Sequence, residues 1–368
     1  MSKSNKVDVN KLDRWMKPDT EVQSGMQWLS PRNEPFRISG FPWLNQDGRY
    51  RRLPAAPNWP IPPAVDSLAN CTAGGQIRFQ TDSRKLAIRV QLSGPANMSH
   101  MPSTGQCGFD CYVEIDGDNR YGCTTVYDHT RTDYEVNLFD VDDKRMRSIT
   151  LYFPLYQGVE SVELGLETDA VLQAPVPYAS DKKVIIYGTS ITQGGCASRP
   201  GMAYPNIMSR SIPLEFINLG FSGNGRGEPE LARILCEIEN PGCYVLDYEA
   251  NCVSPDKLRE TLPEFIRILR ASHPEVPIVV LSKIRFSRER LNPSLLQNRL
   301  INLQTQKETV ERLRAQGDHN IHFYDGSTLL GDRYDECTVD GTHPTDLGFL
   351  LMADGLTPFI RQLLAELL

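Results

Sequence analysis

Short runs of alternating hydrophobic and polar residues fill the first half of the chain, from about residue 20 to residue 178. Residues 86–92 show the pattern most clearly, because aliphatic side chains there alternate with small or polar ones. A period of two is typical of a strand that buries one face. Residues 77–79 form a similar run just before it, and the intervening residues 81–84 are typical of a hairpin turn.

Further segments continue this pattern and are separated by turn signals. The run from Cys111 to Ile115 leads into Asp116-Gly117, a dipeptide that favours a tight turn between two strands. The other predicted strands are 137–139, 148–153 and 161–166. Several short strands joined by turns predict a β-sandwich resembling a jelly roll. Pro54 to Pro63 holds five prolines, which predict an extended surface loop.

Strands and helices alternate in the second half, after a proline-containing join at 173–180. The predicted strands are Lys183–Tyr187, Leu214–Asn218, Cys243–Leu246, Pro277–Leu281 and Ile321–Tyr324. The predicted helices are 228–238, a helix capped by Ser254, 295–316 and 349–368. This alternation indicates a parallel sheet covered by helices on both faces. We therefore predict a β-sandwich domain with an irregular leading segment at 1–178 and an α/β domain at 181–368.

Polar residues follow several of these strands, at the edge where a parallel sheet binds its ligands. The first strand leads to Ser190, the second to Gly223 and the third to Asn251. Asp340 and His343 lie in the segment after the last strand. We expect these side chains to meet at the carboxyl ends of the strands.

These residue types are the parts of a nucleophilic acyl transfer. A serine hydroxyl becomes a nucleophile when a base takes its proton, and His343 is the candidate base. Asp340 can orient the imidazole and stabilise its cation. The amides of Ser190 and Gly223 and the side chain of Asn251 can bind the oxyanion, where one donor contributes roughly 3–4 kcal/mol to transition-state stabilisation.

Each residue also has a simpler interpretation. Ser190 alone would be a helix N-cap, Gly223 an ordinary turn glycine, and Asn251 a residue that orders its loop. The glycines around position 223 suggest a phosphate cradle, but they lack the spacing of the nucleotide-binding motifs. It is the ordered set of blocks, rather than any single motif, that favours catalysis.

In order and approximate spacing, these blocks resemble those of the SGNH, or GDSL-type, hydrolases over the whole second half. Ser190 matches the nucleophile of that family, Gly223 and Asn251 its oxyanion residues, and Asp340 and His343 its D-x-x-H block. The resemblance implies a flavodoxin-like α/β/α domain with a parallel sheet. It also implies an ester hydrolase that needs no metal or organic cofactor.

The first half resembles a known domain as well. Residues 108–112 are similar to the G-x-D-L-Y motif of a β-rich domain that precedes some SGNH hydrolases. The resemblance implies an esterase whose relatives include acyltransferases and carbohydrate esterases of the same layout. Thr189 replaces the aspartate that usually precedes the serine, and Glu249 and Ala250 replace the usual neighbours of Asn251. Asp247 is a candidate support for that loop.

We therefore expect a serine esterase that cleaves small acyl esters, acetyl first, with an acylated carbohydrate as candidate substrate. An acyltransferase using the same triad and an acceptor alcohol is the alternative, and no residue separates the two. A non-catalytic carbohydrate-binding protein is an alternative of another class. A homo-oligomer is left open.

Other residues are weaker candidates for the site. His100 and His129 lie in predicted loops of the first half, from which either could reach it. Arg199 and Arg226 follow the serine and glycine blocks and are expected to be solvated, with a substrate contact as the alternative. The tryptophans expected to pack in the core or in loops rather than stack on a sugar are Trp28, Trp43 and Trp59.

Composition excludes several classes of protein. A net charge of −7 argues against a broad nucleic-acid-binding face. No apolar run approaches the ~18 residues that a bilayer span needs, and residues 1–10 lack the apolar stretch of a secretory signal. The nine cysteines contain no C-x-x-C pair, so we expect reduced thiols in a cytoplasmic protein.

Overall fold

The structure is a computed structural model that describes residues 25–368 together with Leu12 and Asp13. The first ten residues, on which the absence of a signal sequence was argued, lie outside this part. The strands of the first half are β1 (Met26–Leu29), β2 (Arg37–Ser39), β3 (Gln76–Thr81), β4 (Lys85–Leu92), β5 (Asp110–Ile115), β6 (Asp118–Thr124), β7 (Asp133–Asp140), β8 (Arg147–Tyr152), β9 (Val159–Glu167) and β10 (Leu172–Gln173). Its helices are α1 (Leu44–Asp47), α2 (Pro63–Leu68) and α3 (Ser103–Cys107).

These strands form two antiparallel sheets that face each other across one core. The first sheet has the order β1-β9-β4-β7, and the second has the order β10-β3-β8-β5-β6 with β2 beside β3. Leu86, Ile88 and Val90 of β4 meet Ile149 and Leu151 of β8 in that core, each at most 2% exposed. The alternating pattern therefore marked the buried faces of a β-rich sandwich, as predicted.

One of the two predicted hairpins is wrong. β3 and β4 flank the turn at 81–84 but belong to different sheets, so this turn is a corner between the sheets. A period of two decides which face of a strand is buried, but it does not select the pairing partner. The hairpin at Asp116-Gly117 is confirmed, because Ile115 pairs with Asp118 and both turn residues have positive φ.

The second half contains a parallel sheet with the strand order β12-β11-β13-β14-β15. Its strands are β11 (Lys183–Gly188), β12 (Glu215–Gly220), β13 (Pro241–Asp247), β14 (Ile278–Leu281) and β15 (Ile321–Tyr324). Its helices are α4 (Ser190–Gln193), α5 (Tyr204–Ser211), α6 (Pro229–Cys236), α7 (Pro255–Ser272), α8 (Pro293–Ala315) and α9 (Asp346–Leu363). Shorter 3-10 turns are Pro200–Met202, Glu249–Asn251, Ser287–Arg290, Gly326–Thr328, Tyr334–Cys337 and Ala365–Leu367.

Helices cover both faces of this sheet. Val184 and Ile186 of β11 pack in one core with residues of α5 and α9. Ile185 and Tyr187 point to the opposite face and pack in a second core with residues of α6 and α7. The flavodoxin-like α/β/α prediction is confirmed. Among the described residues, no helix has both the length and the apolar character needed to cross a bilayer.

The motif at 108–112 attaches the β-rich half to the parallel-sheet half. The carboxylate of Asp110 is fully buried and accepts hydrogen bonds from Arg199 Nη1 and from the Gly201 amide, both at 2.7 Å. The Arg199 guanidinium also stacks on Tyr121, with 3.8 Å to the ring centroid. Arg199 is therefore neither solvated nor free to meet a substrate, because it is the ion-pair partner of Asp110. The strand register alone could not predict this pairing across 89 residues.

The three tryptophans that the structure describes pack against other side chains of the protein. Trp43 is 8% exposed and belongs to the core between the sheet and α6. Arg89 covers the ring of Trp28 at 4.0 Å, and Arg233 covers that of Trp59 at 4.9 Å.

Candidate active site

The turn after β11 positions Ser190 at the first residue of α4. Thr189 caps this helix, since its hydroxyl accepts from the Ile191 amide at 3.2 Å while Thr192 Oγ1 accepts from the Thr189 amide at 3.2 Å. This reciprocal capping box fixes the first turn of the helix. Thr189 thus has a local structural role in place of the aspartate that is usual at this position, and Ser190 is held rigidly at the carboxyl end of the central strand.

Ser190, His343 and Asp340 form a continuous hydrogen-bonded chain. Ser190 Oγ lies 2.9 Å from His343 Nε2, and His343 Nδ1 lies 2.8 Å from Asp340 Oδ2. The other carboxylate oxygen of Asp340 accepts from the amides of Thr342 and His343, at 3.0 and 2.9 Å. These contacts join residues 153 positions apart, so the structure brings the three predicted residues together.

The loop that carries His343 is braced at both ends. Thr338 pairs with Pro344 in an isolated antiparallel bridge, and the Val339 amide donates to the His343 carbonyl at 2.8 Å. Arg288 donates to the Asp340 carbonyl from outside the loop at 3.0 Å. The orientation of the imidazole therefore rests on backbone contacts as well as on Asp340.

Asp340 is an ionised carboxylate at neutral pH. Burial acts to raise its pKa, but hydrogen bonds from the His343 amide and ring outweigh burial and lower the pKa to about 2. The charge lies directly behind the imidazole, which it can stabilise as a cation while holding the proton on Nδ1. In that tautomer, Nε2 presents its lone pair to Ser190.

The loop after β12 contacts the serine helix. A Cβ at Gly220 would overlap the Gln193 amide, so only glycine permits this close approach. The Ser222 amide donates to Gln193 Oε1 at 3.1 Å, which links the two loops. Gly223 has φ +64°. Within the described residues, the amides of Ser190 and Gly223 have no acceptor, as donors reserved for a ligand would require.

Asn251 has a different contact pattern from the one predicted. Its side-chain amide donates to the Phe221 carbonyl at 3.1 Å and also to the Asn224 carbonyl. In this structure Asn251 therefore orders the loop that presents Gly223, which was the simpler interpretation. Its role as an oxyanion donor stays a prediction, and it requires that the side chain exchange one of these carbonyls for the ligand.

The unusual neighbour of Asn251 anchors its turn. The Glu249 carboxylate is 3% exposed and accepts from the Lys283 amide at 2.8 Å and from Gln306 at 2.9 Å. These partners come from the segment after β14 and from α8. Burial raises the pKa of Glu249. The departure from the family pattern therefore keeps Asn251 in place by a buried network.

Two residues of the β-rich half reach the site. The Tyr156 hydroxyl donates to the Ser190 carbonyl at 3.2 Å. His100 lies at the rim, where its Nε2 is 3.9 Å from Asp340 Oδ2 and 42% of its side chain is exposed. Tyr156 has no sequence signal, because its contact depends on packing between the halves. His129 is exposed in the turn before β7.

Arg226 is exposed, as predicted, but its guanidinium has a structural partner. Nε and Nη2 donate to the Gly223 carbonyl at 3.2 and 2.8 Å. These two guanidinium donors fix the peptide group that follows Gly223, so Arg226 stabilises the glycine loop from the solvent side.

Asp247 stabilises helix α4, which carries Ser190, from the end of the neighbouring strand β13. Its carboxylate is buried at the end of β13 and accepts from Thr192 Oγ1 and from the Tyr204 hydroxyl, both at 2.8 Å. Burial raises its pKa to about 7, although the two hydrogen bonds act in the opposite direction. The carboxyl group therefore keeps its proton in the folded protein at pH values where the unfolded chain has lost it.

This shift predicts a pH dependence of stability. The folded state binds more protons than the unfolded state between about pH 4 and pH 7, so the free energy of unfolding falls as the pH rises through that window. Asp247→Asn should remove this pH-dependent fall in the free energy of unfolding, which amounts to about 4 kcal/mol. Urea titrations at pH 4, 5, 6 and 7 measure it, with Asp354→Asn, an exposed aspartate of α9, as control. Equal pH slopes for wild type and Asp247→Asn would refute this account.

A model of the GDSL-like lipase/acylhydrolase family matches residues 181–361. A model of the N-terminus of SGNH hydrolase-type esterases matches residues 26–172. A Bacteroides ovatus protein that carries the name GDSL-like lipase is 31% identical, with 92% of this chain and 98% of that chain covered and a TM-score of 0.84. The chain belongs to the GDSL-like lipase/acylhydrolase family. It is a hydrolase of the SGNH esterase type, and its β-rich half matches the N-terminal region of such esterases.

More distant structures share the fold of this GDSL-like hydrolase. The salicylyl-acyltransferase SsfX3 of a tetracycline biosynthetic pathway is 22% identical, with 93% of this chain and 98% of that chain covered and a TM-score of 0.73. A family two carbohydrate esterase of Cellvibrio japonicus is 14% identical, with 92% and 98% covered and a TM-score of 0.59. No curated protein matches the sequence.

Proposed function

We propose that this GDSL-like hydrolase is a serine esterase that removes small acyl groups, acetyl first, from an acylated carbohydrate. The observation that carries the proposal is the chain of contacts from Ser190 Oγ through His343 to Asp340, at 2.9 and 2.8 Å. These are the distances at which a base takes the proton of a nucleophile and a carboxylate orients that base.

The reaction proceeds through an acyl-enzyme. His343 Nε2 takes the proton of Ser190 as the hydroxyl oxygen bonds to the ester carbonyl carbon. The tetrahedral intermediate then collapses, and the alcohol leaves with the proton that His343 returns. A water molecule next loses its proton to His343 and attacks the acyl-serine, which releases the acid and restores the Ser190 hydroxyl. Asp340 stabilises the imidazolium in both halves of the reaction.

The oxyanion is bound by the amides of Ser190 and Gly223. Their lack of an acceptor among the described residues supports this role, as does the bracing of the glycine loop by Gln193 and Arg226. Fixed donors stabilise developing charge without the reorganisation that water requires. Asn251 joins as a third donor when it releases a loop carbonyl.

The substrate class is proposed from the shared fold and from the position of the β-rich half. Structures of the same fold include family two carbohydrate esterases, one of which was solved with cellohexaose, but identities of 14–17% show only the fold. The β-rich half contributes Tyr156, whose hydroxyl donates to the Ser190 carbonyl, and His100 at the rim beside Asp340, which supports a contact between this half and the alcohol part of an ester. We therefore propose a hydroxyl-rich alcohol with a small acyl group.

A panel of esters tests this function. Wild type should hydrolyse p-nitrophenyl acetate with a kcat/KM about tenfold or more above that for the octanoate, because added methylenes must find space in the pocket. Acetylated xylo- and manno-oligosaccharides should release acetate. Wild type equal to heat-inactivated protein on every ester would refute the esterase proposal. Transfer of acetyl to an added alcohol in preference to water would replace it with the acyltransferase.

A further inference from the structure

A second set of side chains surrounds the proposed base. His100, Cys196 and His343 each place one possible metal-ligand atom, a ring nitrogen or Sγ, so that these atoms all lie within 4.8 Å of one another. His100 comes from the loop before α3, Cys196 from the segment after α4, and His343 from the loop before α9. The proposed esterase mechanism uses only the last of the three.

Cys196 is held in an uncommon backbone conformation. It is 4% exposed and has φ +72°, in the left-handed region that residues other than glycine rarely adopt. A Cβ at the preceding Gly195 would lie 3.1 Å from His343 Cδ2, so the chain here passes directly against the imidazole. The backbone therefore carries the thiol to the histidine although a cysteine is not the residue that this φ favours.

Two imidazoles and one thiolate form a donor set that binds Zn²⁺, with a fourth position left for water or an exogenous ligand. Tetrahedral zinc with these ligands needs donor atoms roughly 3.3–3.6 Å apart, so the group must contract by about 1 Å. His100 can supply that movement, because its side chain is 42% exposed at the rim. The Asp340 carboxylate, 3.9 Å from His100 Nε2, adds a negative charge beside the three ligands.

We propose that His100, Cys196 and His343 form an inhibitory Zn²⁺ site. The Cys196 thiol loses its proton to solvent as the Zn–S bond forms, so each Zn²⁺ bound releases one proton. No electron is transferred, and a chelator reverses the reaction. The site differs from a catalytic zinc centre because the metal takes the residue that must act as the base.

Inhibition follows from the positions of the two ring nitrogens of His343. Nε2 faces Ser190 Oγ at 2.9 Å, and Nδ1 faces Asp340 Oδ2 at 2.8 Å. A cation on Nε2 removes the lone pair that accepts the serine proton, and a cation on Nδ1 displaces Asp340. Zn²⁺ on either nitrogen therefore excludes ester hydrolysis. The inhibition rests on the proposed function, whereas the binding does not.

The test measures both effects with ZnCl₂. Calorimetry of the wild-type chain with a phosphine reductant should give one micromolar site, and p-nitrophenyl acetate hydrolysis should stop at matching concentrations and recover with EDTA. His100→Gln and Cys196→Ser should each weaken binding and inhibition at least about tenfold, with inhibition measured relative to the metal-free rate of the same variant. MgCl₂ should not inhibit, because Mg²⁺ prefers oxygen ligands.

Each variant tests a different explanation of the inhibition. Cys196→Ser replaces only Sγ by an oxygen and so tests the sulfur, and His129→Gln controls for loss of an exposed histidine. Unchanged inhibition in both His100→Gln and Cys196→Ser would place Zn²⁺ on His343 alone and overturn the proposal. Absence of a calorimetric site on wild type would also overturn it. A wild type that binds Zn²⁺ but hydrolyses no ester would refute the esterase proposal and leave the zinc site standing.

Discussion

Ser190→Ala is expected to lower kcat/KM for p-nitrophenyl acetate roughly 10⁴- to 10⁶-fold, because the variant has no oxygen to form the acyl-enzyme. Among the described residues, the only hydrogen bond of Ser190 Oγ is to His343. Removing it therefore disturbs no other partner, and the unfolding temperature should stay within a few degrees of wild type. Initial-rate measurements at substrate concentrations well below KM give kcat/KM directly.

A second serine variant is the matched control, because it shows whether the loss of any buried hydroxyl lowers the activity. Ser209→Ala removes a partly buried hydroxyl that bonds to Tyr152 and to the Asn206 carbonyl, on α5. Its activity should remain within about twofold of wild type, since it takes no part in the proposed chemistry. If Ser190→Ala kept a tenth or more of the wild-type rate, the serine mechanism would be wrong.

Asp340→Asn is expected to lower kcat about 10⁴-fold with little change in KM. The oxygen of an asparagine side chain can still accept from the amides of Thr342 and His343, so the loop keeps its shape. The side-chain NH₂ group then faces His343 Nδ1 and donates to it. The imidazole must consequently carry its proton on Nε2, where it cannot accept one from Ser190.

The tautomer argument has its own control and a second readout. Asp335→Asn changes a nearby aspartate that pairs with Arg290 at the surface and should leave kcat unchanged. Raising the pH should not restore Asp340→Asn at neutral or mildly alkaline values, because its defect is the position of a proton rather than a shifted titration. A kcat within tenfold of wild type would mean that Asp340 does not orient the base.

Local sequence patterns predicted most of the fold, because burial of one strand face or one helix face is a local property. The run at 86–92 and the apolar strand at 183–187 both lie in the expected strands. The turn at 81–84 shows the limit of that reasoning, since the choice of partner strand depends on the whole sandwich. Helix α5 was not predicted, because its buried positions include Pro205 and Asn206 and hide the apolar period.

The same contrast between local pattern and long-range packing applies to the candidate site. Ser190, Asp340 and His343 could be predicted because they follow strand ends and match a spaced pattern, although their catalytic roles stay a proposal. Tyr156 and the thiol of Cys196 could not, since each depends on how distant segments pack. Arg199 was misread because its partner, Asp110, lies in the other half of the chain.

Asn251 illustrates a difference between residue identity and geometry. The sequence placed it in the right loop, yet its amide donates to the carbonyls of Phe221 and Asn224. Small differences in side-chain position decide whether an amide donates to a ligand or to a loop carbonyl. The spacing of residues along the sequence does not determine those positions.

Covalent labelling of the nucleophile tests the central claim most directly. Wild-type protein treated with a fluorophosphonate should gain one adduct, which peptide mass spectrometry should locate on Ser190. Ser190→Ala should gain none, and Asp340→Asn should label far more slowly. An adduct on another residue, or no adduct on a sample that hydrolyses p-nitrophenyl acetate, would contradict the assignment of Ser190 as the nucleophile.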